Sequence, residues 1–248
     1  MTAHSAPDRD PSVPARLAHQ VSEAVSGAGE RVGEVAAALK PKLRGWIHAG
    51  VEPFVVAASI VLVVLAPPVA PRVAVSVFGL SAILLFGTSA VYHRGTWSPR
   101  VAAVLRRLDH TNIFLIIAGT YTPLAVLLLD EPVARTLLII VWSGAIVGLL
   151  MRIFWLGAPR WLYVPIYVAL GWVAVAYLGP LGATGGAAVV WLIIAGGLAY
   201  TVGAVIYGLK RPNPSPAWFG FHEIFHVLTV VGYTCHLVAV FLATVAAR

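Results

Sequence analysis

The sequence predicts an all-α integral membrane protein: a seven-transmembrane-helix bundle with its N-terminus in the cytoplasm and its C-terminus outside. Three observations predict it. Hydrophobic residues make up 59% of the 248 and charged residues only 11%, where a soluble domain carries about 25% charged residues. Seven apolar stretches each approach the roughly 20 residues that a spanning helix needs. The 17 Lys and Arg are distributed unevenly between the breaks that separate those stretches. This composition excludes an ordinary soluble enzyme, and it excludes a disordered chain, whose hydrophobicity would be low. The net charge of +7 comes from bases scattered singly between apolar runs, unlike the clustered bases of a nucleic-acid-binding domain. Membrane lipids, and not nucleic acid, are the expected partners. The single cysteine, Cys235, lies in an apolar run, which rules out an internal disulfide and a Cys-rich zinc ribbon.

Residues 1–45 form an expected cytoplasmic tail, and 46–248 the membrane domain. The tail holds six Lys/Arg and five Asp/Glu and no long apolar run. Its opening, Met1 to Arg16, has the composition of disordered chain. From Leu17 to Leu39 the apolar residues Leu17, Val21, Val25, Val32, Val35 and Leu39 recur with a helical period, which suits a weak amphipathic helix on the membrane surface. No short apolar core follows a basic start, so no cleavable signal peptide is expected.

The spans are expected at about 51–69, 73–92, 111–129, 136–155, 161–179, 187–207 and 222–245. Pro67-Pro68, Pro71, Asp130-Glu131-Pro132, Pro159, Gly179-Pro180 and Lys210-Arg211-Pro212 punctuate them. Gly196, Gly197 and Gly203 in the sixth span are small residues of the kind that let helices approach closely in lipid. With the N-terminus inside, the inner loops carry Arg94, Arg100, Arg106, Arg107, Arg152, Arg160, Lys210 and Arg211. The outer side keeps only Arg72, Arg135 and Arg248. Positive residues favour the cytoplasmic side, so this count supports both the number of spans and their orientation in the plasma membrane.

Ionisable residues in spans are costly and point to function. Here they are Glu52, His93, Asp109, His110, His222, Glu223, His226 and His236. His93 closes the second span, Asp109 opens the third, and His222 and His226 open the seventh. Groups from three helices therefore share one depth, near the cytoplasmic leaflet. His222 and His226 are four apart, on one helical face, a spacing that suits two nitrogen ligands to one zinc ion. A third imidazole from His93 leaves one tetrahedral position open, the pattern of a catalytic site. Asp109 could hydrogen-bond a water there and help deprotonate it. Ser89, one turn deeper than His93 on the same face, could steer a substrate carbonyl or that water.

Competing readings exist for each residue. Asp109 ahead of an apolar run is also a natural N-cap, and Ser89 a helix-contact hydroxyl. His110 points about 100° from Asp109 and reads as structural or supporting, while His236, about 15 Å beyond His226, cannot share its metal. Glu52 reads as an interfacial group, and His48 as part of the tail surroundings without a functional signal. His222-Glu223-Ile224-Phe225-His226 matches the H-E-x-x-H of zinc proteases, in which the Glu is general base. The metzincin extension is absent, no third ligand follows at reach, and Glu223 can simply face the headgroups. A protease is the minor reading.

Ser89-Ala90-Val91-Tyr92-His93, Arg107-Leu108-Asp109-His110-Thr111-Asn112-Ile113 and His222-Glu223-Ile224-Phe225-His226 resemble the three motifs of the bacterial hemolysin III family, a branch of the progestin and adipoQ receptors. The resemblance covers about residues 40–245, with Arg44-Gly45-Trp46-Ile47-His48 at its front. It implies a seven-helix bundle with a cytoplasmic N-terminus and zinc held by His93, His222 and His226. It further implies Asp109 beside the metal-bound water and Ser89 nearby. Kinship with adiponectin receptors and alkaline ceramidases implies hydrolysis of a lipid amide, and some bacterial members are tied to membrane homeostasis.

Three functions follow as expectations. The foremost is a zinc-dependent hydrolase of a lipid amide or ester, with acyl chains entering sideways from the bilayer. A pore-forming cytolysin is the activity in the family name, but seven spans without an export signal do not suit a secreted toxin. A zinc-stabilised sensor or receptor would need a closed metal site, and the sequence offers no clear fourth ligand beyond Glu223.

Overall fold

The computed structural model describes residues 41–155, 157–215 and 217–248. The expected amphipathic helix between Leu17 and Leu39 lies outside them. Among the described residues the chain is helical, with no named strand. Its elements are α1 (Trp46–Leu65), α2 (Ala70–Arg94), α3 (Pro99–Leu128) and α4 (Glu131–Phe154). Next, α5 (Arg160–Gly171) runs through a 3-10 segment (Trp172–Tyr177) into α6 (Leu178–Leu209), and α7 (Phe221–Ala246) closes the chain. Proline stands in the first turn of α2, α3 and α4, where the missing N–H is not needed by the helix.

Six helical stretches are long and apolar enough to cross a membrane: α1, α2, α3, α4, the combined stretch Arg160–Leu209, and α7. The combined stretch has 50 residues, which as a straight rod would reach about 75 Å, against a hydrocarbon core of about 30 Å. It does not stay straight. The indole N–H of Trp172 donates to Thr201 Oγ1 at 2.8 Å, and the Arg160 guanidinium lies 4.5 Å from the centre of the Tyr207 ring. Residues so far apart in sequence meet only if the stretch folds back on itself. The turn is at Gly186, with φ 77 and ψ 174, a conformation essentially restricted to glycine.

The two arms hold the expected spans 161–179 and 187–207, but the break lies later than the expected Gly179-Pro180. Pro180 is the third residue of α6, where a proline interrupts little. Glycine-only dihedrals, and not the proline, set the turn. Two other boundaries also need correction. Helix α3 starts at Pro99, with Ser98 at the N-cap position, so Asp109 lies in the helix body and is not its N-cap. Its basic first turns are helical although they are too polar for a hydropathy window. Helix α1 starts at Trp46, which puts Glu52 well inside it; the carboxylate has one oxygen buried without a partner and reaches toward Gly87 of α2. Arg152, expected in a loop, is buried in the last turn of α4 with its guanidinium over the Tyr163 ring.

The helices pack as α1 on α2, α2 on α3, α3 on α4 and α6 on α7. Phe78, Phe86, Phe114, Leu62, Leu137 and Leu181 are fully enclosed. Large apolar side chains also cover the outside: Phe154 is 84% exposed, Trp161 75% and Phe54 74%. In water such a surface would aggregate; in lipid it is the expected solvent-facing skin. Two of the three sixth-span glycines serve close packing as expected: a Cβ on Gly203 would lie 3.2 Å from Leu228 of α7, and one on Gly196 would strike the His236 ring, whereas one on Gly197 would meet nothing closer than 4.0 Å.

Candidate metal centre

The antiparallel packing brings the end of α2, the body of α3 and the starts of α1 and α7 to one level. His93 is the penultimate residue of α2 and His222 the second of α7. Their Nε2 atoms are 3.2 Å apart. His226, one turn further along α7, places its ring centroid 4.6 Å from that of His222 and 5.2 Å from that of His93. One nitrogen from each of the three rings falls within a 4.8 Å set, and no other His/Cys/Asp/Glu group among the described residues makes such a cluster. His93 and His226 are buried and His222 half-buried.

The donor set could hold a metal ion, and imidazole nitrogens are ligands that zinc accepts. Nitrogens at about 2.0–2.1 Å from a tetrahedral ion stand a little over 3 Å from one another, and the His93–His222 pair already does. The whole set is wider, so His226 would close in by a small ring movement. Asp109 reaches the same place from α3: its Oδ2 is 3.7 Å from His93 Nε2. Ser89 is buried one turn below His93 and lines the same cavity as Asp109, His222 and His226. The sequence-selected residues therefore come together from three helices.

The neighbouring polar groups sort themselves by geometry. His110 Nδ1 pairs with the Arg106 carbonyl at 2.7 Å and its Nε2 faces the Tyr207 hydroxyl at 3.4 Å, so its ring is engaged away from the triad. His236 donates from Nε2 to the Ile193 carbonyl at 3.2 Å, linking α7 to α6. Glu223 does not face headgroups. It is fully buried; Oε1 accepts from Arg44 Nε at 2.8 Å and Oε2 from the Gly220 N–H at 2.8 Å. The second bond is the glutamate half of a capping box at the start of α7, made to the N–H of the N-cap residue. Lying one residue past His222, it points about 100° away and meets the chain leading into α1. It is a structural anchor with both oxygens in use.

His48 is the residue that sequence reasoning missed. It belongs to the first turn of α1 and is buried. Its ring stacks on His226 with centroids 3.8 Å apart and planes at 11°, and the edge of Phe86 meets it at 4.9 Å. The signal available in the sequence is depth: a histidine at the start of the first helix lies at the level of the other three.

From this polar end a cavity extends into the bundle. Leu85, Ile113, Ile117, Val168 and Leu181 are among its apolar walls, and Thr229 and His236 lie along it on α7. The site thus joins a metal-competent imidazole cluster, one carboxylate and one hydroxyl to a long apolar chamber.

The profile of the haemolysin-III-related family matches residues 36–237. The chain belongs to that family. It is 34% identical over 150 residues to the Hemolysin-3 homolog of Bacillus subtilis (strain 168), an alignment covering 60% of this chain and 70% of that protein. It is 36% identical over 135 residues to Hemolysin-3 of Bacillus cereus, covering 54% of this chain and 61% of that protein. A haemolysin-III-related chain with several apolar helices is a multi-pass membrane protein.

Proposed function

We propose that this haemolysin-III-related protein is a zinc-dependent hydrolase that cleaves a lipid amide or ester within the membrane. The observation that carries this reading is the meeting of three imidazoles with the Asp109 carboxylate at the mouth of an apolar cavity. His93, His222 and His226 would hold the ion. Zinc, when bound, supplies Lewis acidity toward a carbonyl and makes water more acidic. Asp109 takes the proton of the attacking water as it adds to the carbonyl carbon. When the C–N or C–O bond breaks, Asp109 returns that proton to the departing nitrogen or oxygen. The Ser89 hydroxyl donates a hydrogen bond to the substrate carbonyl, and the apolar walls hold the acyl chain and exclude water.

The same reading includes the topology. The folded stretch Arg160–Leu209 counts as two crossings, which gives seven and places both ends of the membrane domain on opposite sides. The starts of α1, α3, α5 and α7 and the ends of α2, α4 and α6 then share the side rich in Arg and Lys. This is the cytoplasmic side, and the metal centre lies at its leaflet with the 1–45 tail beyond it. Trp46, Trp97, Trp155, Trp161 and Trp218, all partly exposed at that end, suit an interfacial belt.

The test uses the full chain in detergent, with bound metal and hydrolysis of a fluorescent lipid amide measured together. Wild type should hold near-stoichiometric zinc and His222→Ala should lose it. Asp109→Asn should keep zinc while hydrolysis falls by about 10²–10⁴-fold. Full hydrolysis in both variants would overturn the enzyme.

A further inference from the structure

A metal-bound histidine almost always fixes its ring by donating the other N–H to a carboxylate, a carbonyl or a water. His226 departs from that rule. Its Nδ1 is buried without a hydrogen-bond partner and its Nε2 makes no hydrogen bond either, so whichever nitrogen faces the ion, the other is not held by a carboxylate or a carbonyl. What holds the ring is a surface: the face of His48, parallel to it and 3.8 Å away.

We infer that His48 is a positioning residue of the metal centre, whose stacked ring fixes the plane of His226 in place of the missing hydrogen bond. This rests on the proposed metal centre, but it concerns a residue outside the ligand set. Both His48 nitrogens are themselves buried without partners, so its contact with His226 is made through the ring face. Nor is His48 a fourth ligand to the same ion. Lone pairs of an imidazole lie in the ring plane, and two nearly parallel rings stacked with centroids 3.8 Å apart send them side by side, not to one point. A coordinated imidazole is electron-poor, and an aromatic face is a favourable neighbour for such a ring, as it is for a cation.

The chain before α1 is built to deliver this ring. Lys42 and Leu43 donate backbone hydrogen bonds to the Ala217 and Trp218 carbonyls at 3.0 and 3.3 Å, just ahead of α7. Arg44 binds buried Glu223. Gly45, with φ 80, turns the chain so close to α2 that a Cβ there would lie 2.8 Å from His93 Cβ. One turn later His48 lands on His226, backed by the edge of Phe86. The strap from Lys42 to His48 therefore touches His93, His226 and the residue beside His222. The H-E-x-x-H glutamate serves as its anchor.

The experiment compares full-length wild type, His48→Phe, His48→Leu and His222→Ala in detergent. Zinc affinity is measured by chelator competition, and the visible absorption of the cobalt-loaded protein is recorded at saturating metal. His48→Leu should weaken zinc by about tenfold or more and alter the cobalt bands. His48→Phe, which keeps a flat face, should stay within about threefold of wild type with its spectrum preserved. Should the leucine variant fail to fold, His48→Gln, polar but without a ring, makes the same comparison. A ringless variant with wild-type affinity and spectrum would overturn the inference, as would equal impairment by Phe and Leu. Stoichiometric metal in His222→Ala would instead overturn the metal centre itself.

Discussion

Glu223 and Arg44 form a 2.8 Å ion pair with the carboxylate wholly enclosed, one residue from His222. This pair decides what the glutamate of H-E-x-x-H does here. A general base must reach the water it deprotonates and have an oxygen available for it. Glu223 uses one oxygen on Arg44 and the other on the Gly220 N–H. Glu223→Gln, which keeps the shape and can retain one of the two contacts through its single carbonyl oxygen, is expected to retain hydrolysis within about tenfold; removal of a true general base costs about 10²–10⁴-fold. Glu223→Ala leaves Arg44 unpaired and should lower stability by about 3 kcal/mol, read as an earlier thermal transition in detergent. A collapse of turnover in the glutamine variant, with metal content intact, would return Glu223 to the chemistry.

His236 shares α7 with His222 and His226 but is ten residues past His226, about 15 Å along the axis. Its role is the hydrogen bond to the Ile193 carbonyl. His236→Leu should therefore keep zinc at the wild-type level and lose about 0.5–1.5 kcal/mol of stability. Metal analysis and a melting curve on the same sample check both parts. Loss of the metal would mean that the imidazole cluster is not confined to the start of α7.

Much of this could be read from the chain because lipid makes polar groups conspicuous. His93, His222 and His226 stand out as imidazoles at one depth, and the four-residue spacing puts two of them on one face. Hydropathy starts the first span at 51, so His48, in the first turn of α1, falls among the tail residues. The start of α1 is set by the turn at Gly45 and by contacts to α7, neither of which hydropathy senses. Asp109 was placed at a helix start for the same reason: the basic turns from Pro99 are helical without being apolar. The burial of Glu223 is not legible locally, because its partner, Arg44, is 179 residues away and no local pattern announces such a pair.

The Bacillus cereus relative is named for haemolysis, so conduction through the bundle is a fair question. A water-filled pore needs a continuous polar lining or at least an open path. Here Leu62, Phe78, Leu137 and Leu181 are enclosed in the interior, and the cavity that leads from the metal centre has mainly apolar walls. Vesicles containing the purified protein should retain a trapped dye as long as protein-free vesicles do, with or without a chelator. Leakage that rises with protein content and ignores the chelator would favour the lytic activity over the hydrolase.

Gly186 offers a test of the fold that is independent of the chemistry. The stretch Arg160–Leu209 reverses at this residue, and a Cβ built there meets nothing within 4 Å. Any penalty for Gly186→Ala must therefore come from the backbone, since φ 77 with ψ 174 lies where side-chain-bearing residues pay about 1–3 kcal/mol. The variant should melt earlier by that amount while zinc binding stays unchanged, because the turn is at the opposite end of the bundle from His222. The companion change Trp172→Phe removes the 2.8 Å bond to Thr201 that ties the two arms together, and should cost about 0.5–1.5 kcal/mol. If both variants were neutral, the arms would not be held as a hairpin, and the stretch would cross the bilayer differently from the path described.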